Sequence, residues 1–142
     1  MANYKSYNFG SLSSVDQYTF APEGMPISVP GKLFLKEPLE LTSVEVSVNK
    51  DKPGTGMSFF HRHKDNEEVY IFVKGKGEMV IDDERFEVKE GSVVKVNPEA
   101  KRSWWNTGDE DLLYIVIQGA QGSMPNTTIE DGVLMDGQVP WS

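Results

Sequence analysis

Apolar positions recur along this chain with a period of two, and no long segment carries a helical period. Leu41-Thr-Ser-Val44-Glu-Val46-Ser-Val48 alternates and sets Val44, Val46 and Val48 on one face of a strand, because successive side chains point to opposite sides. Further β-type runs are read at Met57–His63, Glu68–Val73, Glu78–Ile81, Phe86–Val88, Ser92–Val96, Ser103–Trp105 and Leu112–Gln118. Turn residues separate them at 51–56, 64–66, 74–77, 82–85, around Pro98 and at 106–111. Roughly seven or eight short strands at this spacing predict an all-β sandwich, jelly roll or small barrel. Prolines at 22, 26, 30 and 38 mark the first 40 residues as edge strands and loops that wrap the barrel. Residues 120 to 142, with Gly122, Pro125, Gly132, Gly137 and Pro140, are expected to form an irregular extension packed on the outside.

Composition narrows the function classes. The chain of 142 residues is read as one domain, 1–142, long enough for a hydrophobic core. Its net charge of −8 argues against nucleic acid and against an anionic membrane surface as partners. Cysteine is absent, which removes disulfides, thiolate metal sites and thiol nucleophiles. No apolar run reaches signal-peptide or membrane-span length, so a cytoplasmic location is the expectation.

The chemistry concentrates in one stretch. Both histidines of the protein lie in His61-Arg62-His63, and two adjacent carboxylates, Glu67 and Glu68, follow shortly after. On a strand His61 and His63 share a face with Cα atoms about 6.6–6.8 Å apart, two residues of strand rise. Two imidazoles at that separation can converge on one ion, and two His with one carboxylate suit a transition metal. Alternation admits only one of the two glutamates to a given face: Glu68 goes with Tyr70 and Phe72, Glu67 with Val69, Ile71 and Val73. Spacing alone does not choose between them.

The same stretch resembles the first motif of the cupin superfamily, G(X)5HXH(X)3–4E(X)6G. His61-Arg62-His63 stands for HXH, Glu68 for the acid and Gly75 for the closing glycine, while Thr55 takes the leading glycine's place between Gly54 and Gly56. The second motif, G(X)5PXG(X)2H(X)3N, is matched in frame from Gly91 to Asn106, with Asn97 for the proline, Glu99 for the glycine and Arg102 for the histidine. The likeness spans roughly residues 42 to 118. It implies a double-stranded β-helix (jelly-roll) barrel with an interior site, and His61, His63 and Glu68 as metal ligands. The ion it implies is a divalent transition metal, with Fe, Mn, Ni, Cu and Zn not distinguished.

Arg102 stands where the fourth ligand belongs, and a guanidinium has no lone pair for a metal. Three arrangements follow: Arg102 swung aside from a three-ligand ion, Arg102 gripping an anionic ligand, or Arg102 paired with Glu68 in place of the metal. Phe59, Tyr70, Phe72 and Trp104 share the inward parity. Phe59 and Phe72 are read as core, while Tyr70 and Trp104 each bring a donor and join Arg102 as candidate substrate-binding residues. Asn106 is read as closing its turn. The leading expectation is a small cupin that binds a metal and acts on or binds a small polar or anionic molecule, with oxygenase- or isomerase-type chemistry if it is an enzyme. A metal-free anion-binding or regulatory module and a dimeric scaffold without a site are the contrasting expectations. A homodimer is expected through the apolar Leu112–Ile117 run.

Overall fold

A computed structural model describes residues 2–126 and 128–141. A 3-10 helix, Leu12–Gln17, comes first, followed by β1 (Thr19–Phe20), β2 (Val29–Pro30), β3 (Lys32–Phe34) and the single-turn α1 (Lys36–Leu39). The barrel then runs through β4 (Glu45–Asp51), β5 (Asn66–Lys74), β6 (Lys76–Ile81), β7 (Glu84–Lys89), β8 (Val93–Val96), β9 (Arg102–Trp105) and β10 (Leu112–Ala120). Every pairing is antiparallel. A five-stranded sheet ordered β3-β4-β10-β5-β8 faces a three-stranded sheet ordered β7-β6-β9, and β1 with β2 forms a small ribbon beside them. This is the double-stranded β-helix that the motif resemblance implies, and one of the all-β architectures the alternating pattern allows. No helix among the described residues is long and apolar enough to cross a membrane.

The core lies between the two sheets. Tyr70 and Phe72 of β5, Met79 of β6, Val88 of β7, Trp104 of β9 and Leu112, Tyr114 and Val116 of β10 form one buried cluster. Cross-strand partners share a face of a sheet, so the register of β4 on β10 decides what β4 contributes to this interior. Asp51, Asn49 and Ser47 oppose the inward Leu112, Tyr114 and Val116. Val48 and Val46 oppose Ile115 and Ile117 and therefore lie on the outer face. The alternating valines thus cover the outside of the sheet, where the 3-10 helix packs on β4, and the polar positions of that strand enter the barrel.

Two expectations are corrected. Residues 57–63 do not form a regular strand: isolated bridges join Gly56 to Trp105 and His61 to Arg102. Residues 121–126 and 128–141 are not packed on the barrel, and Leu134, Met135 and Trp141 stand exposed.

Candidate metal centre and ligand cavity

A cavity of about 310 Å3 opens between the sheets, and His61, His63, Glu68, Tyr70 and Trp104 all line it. Glu68 and Tyr70 reach it because β5 alternates inward at 68, 70 and 72, as the parity of the run predicts. Trp104 reaches it from β9, where Arg102 and Trp104 are the inward pair.

The histidine segment is held by β9 through a bulge. Met57 N donates to Trp104 O at 2.9 Å and His61 N to Arg102 O at 3.2 Å, so four residues on one side span two on the other. Phe59 keeps the cavity-facing parity of Met57, His61 and His63 but is not core as expected: it is 45% exposed at the rim, while Phe72 is buried as expected. Gly56 is what lets the segment lie so close to β9. A Cβ at that position would come within 2.4 Å of Trp104 O and 2.7 Å of Trp105 Cα. His63 is fixed beyond the bulge by its N–H, which donates to Pro98 O at 3.0 Å.

Glu68 is buried at the centre of the constellation. Its Oε1 accepts from Tyr70 OH at 2.7 Å and from Arg102 Nη1 at 2.8 Å. Its Oε2 lies 3.4 Å from His63 Nε2, and Oε1 lies 3.8 Å from His61 Nε2. Burial alone would raise its pKa, but contact with the His61 ring, the Tyr70 hydroxyl, His63 and Arg102 outweighs it and holds the carboxyl down at about 2. Burial lowers His63, and the nearby His61 and Arg102 lower it further, against the pull of Glu68. Burial raises the Tyr70 phenol, and the Glu68 charge raises it further, so Tyr70 remains a donor.

Arg102 is wholly buried and does not line the cavity. Besides Glu68, its guanidinium donates to three carbonyls of the corner before β9: Nε to Ala100 O at 3.0 Å, and Nη2 to Asn97 O at 2.7 Å, Ala100 O at 2.8 Å and Pro98 O at 3.3 Å. The Arg102–Glu68 contact considered above is present, and it leaves a donor of the cluster free. His63 Nε2 is a buried polar atom without a hydrogen-bond partner, and it faces the one Glu68 oxygen that Arg102 leaves alone. One ligand atom from each of His61, His63 and Glu68 lies within 4.8 Å of the others. Two imidazoles and an ionised carboxylate, with one ring nitrogen free of hydrogen bonds, are a donor set that a divalent transition metal takes.

The opposite wall was not foreseen. Lys32 of β3 lines the same cavity, its Nζ donating to Asn49 Oδ1 at 2.7 Å and lying 5.1 Å from the Phe34 ring centre and 6.0 Å from that of Trp104. Burial lowers its pKa to about 8, opposed by the carboxylates of Asp51, Glu68 and Glu45. Asn49 donates in turn to Ser47 Oγ at 3.0 Å. Trp104 Nε1 donates to Tyr114 OH at 2.6 Å, and Tyr114 OH to Asp51 Oδ2 at 2.9 Å, a buried line leading away from the cavity. Burial pushes Asp51 up to about 6 in spite of Tyr114 and Lys32. The only sequence signal for this wall is the shared parity of Lys32 and Phe34, in a run too short and proline-flanked to read as barrel. Asn106 closes its turn as expected, accepting from Gly108 N at 2.9 Å, and also ties Asp51 O at 2.8 Å.

Comparison with known proteins agrees with this fold. The family described as cupin domain matches residues 48–118. A solved cupin protein from Bacteroides fragilis superposes with a TM-score of 0.76 at 30% identity, covering 95% of this chain and 99% of that one. An uncharacterized protein of Methanocaldococcus jannaschii is 33% identical over 77 residues, which are 54% of this chain and 62% of that protein. A glucose-6-phosphate isomerase of Pyrococcus horikoshii is 35% identical over 77 residues, 51% of this chain and 41% of that enzyme. The match therefore spans less than two thirds of either curated relative.

Proposed function

The chain belongs to the cupin domain family, and on that footing we propose that it is a metal-dependent small cupin acting on a small molecule bound inside the barrel. His61, His63 and Glu68 would hold one divalent transition ion. The observation that carries this reading is the buried, unpartnered His63 Nε2 set 3.4 Å from Glu68 Oε2. When bound, the ion would supply Lewis acidity or redox chemistry at the coordination positions these three side chains leave open.

The protein's own residues divide the remaining work. Arg102 and Tyr70 fix the Glu68 carboxylate from behind, so that its free oxygen points at the histidines. Glu68 is then a ligand and not a free base. Trp104 and Tyr70 form an aromatic wall, their ring centres 5.1 Å apart, that excludes water and orients the bound molecule. Arg102 acts through Glu68 and not on the substrate. Val69, Ile71, Ile115 and Ile117, half-exposed on the outer face of β5 and β10, suit pairing of two copies of the chain, which sedimentation velocity would register as a dimer mass.

Metal analysis by mass spectrometry, on tag-free protein purified without chelator or nickel resin, tests the proposal. Near one equivalent of a single transition metal is expected. A trace that dialysis removes would overturn it and favour a metal-free binder, for which the 2.8 Å Arg102–Glu68 pair is the supporting observation.

A further inference from the structure

The family match begins at residue 48, yet much of the cavity wall comes from before it. Phe20, Met25, Ile27, Val29, Lys32 and Phe34 fold over the opening between the sheets and line it together with the histidines. Five of these six side chains are apolar. Lys32 is the exception, and it is the one basic side chain lining the cavity apart from the histidines.

Its setting is that of an anion anchor. The ammonium has three donors, and its one hydrogen bond among the described residues goes to Asn49 Oδ1 at 2.7 Å. The aromatic rings of Phe34 and Trp104 stand 5.1 and 6.0 Å away and keep water from it. Its hydrogen-bond acceptor is a neutral amide, and Glu68 already accepts from Arg102 and Tyr70. An acidic group entering the cavity would meet a cation with donors to spare. The rest of an occupant would meet Phe20, Phe34, Met57 and Val116, which offer no hydrogen bonds to its other atoms.

We propose that the cavity selects a small carboxylate with a predominantly apolar body, and that Lys32 is the residue that grips the carboxylate. The inference rests on the reading above that this cavity is the functional site, and it names the ligand class for it. A phosphorylated sugar is the poorer class, because the largely apolar wall leaves few polar side chains, Ser47 and Gln118 among them, to meet its hydroxyls.

Calorimetric titration with phenylacetate, phenylacetamide and glucose 6-phosphate tests this, on metal-stripped and on zinc-loaded protein. Phenylacetate is expected to bind both forms, and phenylacetamide to bind about tenfold more weakly or worse. Lys32→Met should weaken phenylacetate by about tenfold or more while leaving phenylacetamide within about twofold, and Lys32→Arg should retain the preference for the acid. Phenylacetate affinity unchanged in Lys32→Met, no phenylacetate binding at all, or tighter binding of glucose 6-phosphate would each overturn the proposal. Failure of zinc to bind would sink the metal reading alone, since the Lys32 effect is read on the stripped protein too. If Lys32→Met does not fold, the wild-type ratio of acid to amide decides, with Lys32→Gln as the second variant.

Discussion

Glu68 and His63 approach each other to 3.4 Å, yet their surroundings are opposite in kind. Behind Glu68, nearly every donor is used: Tyr70 and Arg102 both serve one carboxylate oxygen, and the rest of the guanidinium is wrapped by the Asn97–Ala100 corner. On the His61–His63 side the backbone leaves regular pairing after a bulge, the rings are about one quarter exposed, and a buried nitrogen has no hydrogen bond. Saturated hydrogen bonding holds shape, and unsatisfied polar atoms ask for a ligand. The two sides therefore carry separate duties, stability behind the carboxylate and binding in front of it.

That division can be broken most sharply at Arg102. Arg102→Ala leaves the Glu68 charge buried without its cation and should lower unfolding free energy by about 3–5 kcal/mol in urea titrations. A loss under about 1 kcal/mol would mean the corner is not structural. Asp51 sharpens the contrast as a buried carboxylate with weaker support. Its pKa is raised in the folded state, from 3.8 to about 6, so the native protein binds that proton more tightly than the unfolded chain. Stability from this group is full below about pH 4 and is lost as pH rises to about 6, on the order of 3 kcal/mol. Asp51→Asn should remove that fall, and parallel unfolding curves for the two proteins across this range would refute it. Glu68 has the opposite sign, its contribution being present above about 4.5 and lost as pH falls towards about 2.

On the open side, His63→Ala should weaken zinc binding by more than about 100-fold, beyond the effect of an outer-shell partner, with a stability change under about 1 kcal/mol. Equal losses of metal and of stability would erase the contrast. The smallest effect is expected at Tyr70→Phe, which removes one of two donors to a carboxylate oxygen. About 1.5 kcal/mol of stability should go, and zinc affinity should fall by less than in His63→Ala.

Much of this arrangement is legible in the chain. Period-two alternation predicts an all-β sandwich, jelly roll or barrel, and the parity of Glu68, Tyr70 and Phe72 sends all three inward, because β5 is long and regular. Parity does not by itself fix burial: Phe59 lines the cavity with Met57, His61 and His63, yet the bulge leaves it at the exposed rim. It also cannot tell which face of a strand is the inside. Alternation puts the valines of β4 on one face without saying which, and register on β10 sends the other face, Ser47, Asn49 and Asp51, into the barrel. Lys32 escapes notice for a related reason, since a lone lysine in a three-residue strand carries no local sign that a distant Trp104 will cover it.

Arg102 has a consequence best put as a charge count. Its pairing with Glu68 cancels the negative charge of the ligand set before any ion arrives, so a divalent metal between His61, His63 and Glu68 would bring two uncompensated positive charges into a cavity that already holds the Lys32 ammonium. An anionic guest would relieve that excess, and thermodynamic reciprocity then requires each to tighten the other by the same factor. Ion and acid would enter and leave this barrel as partners.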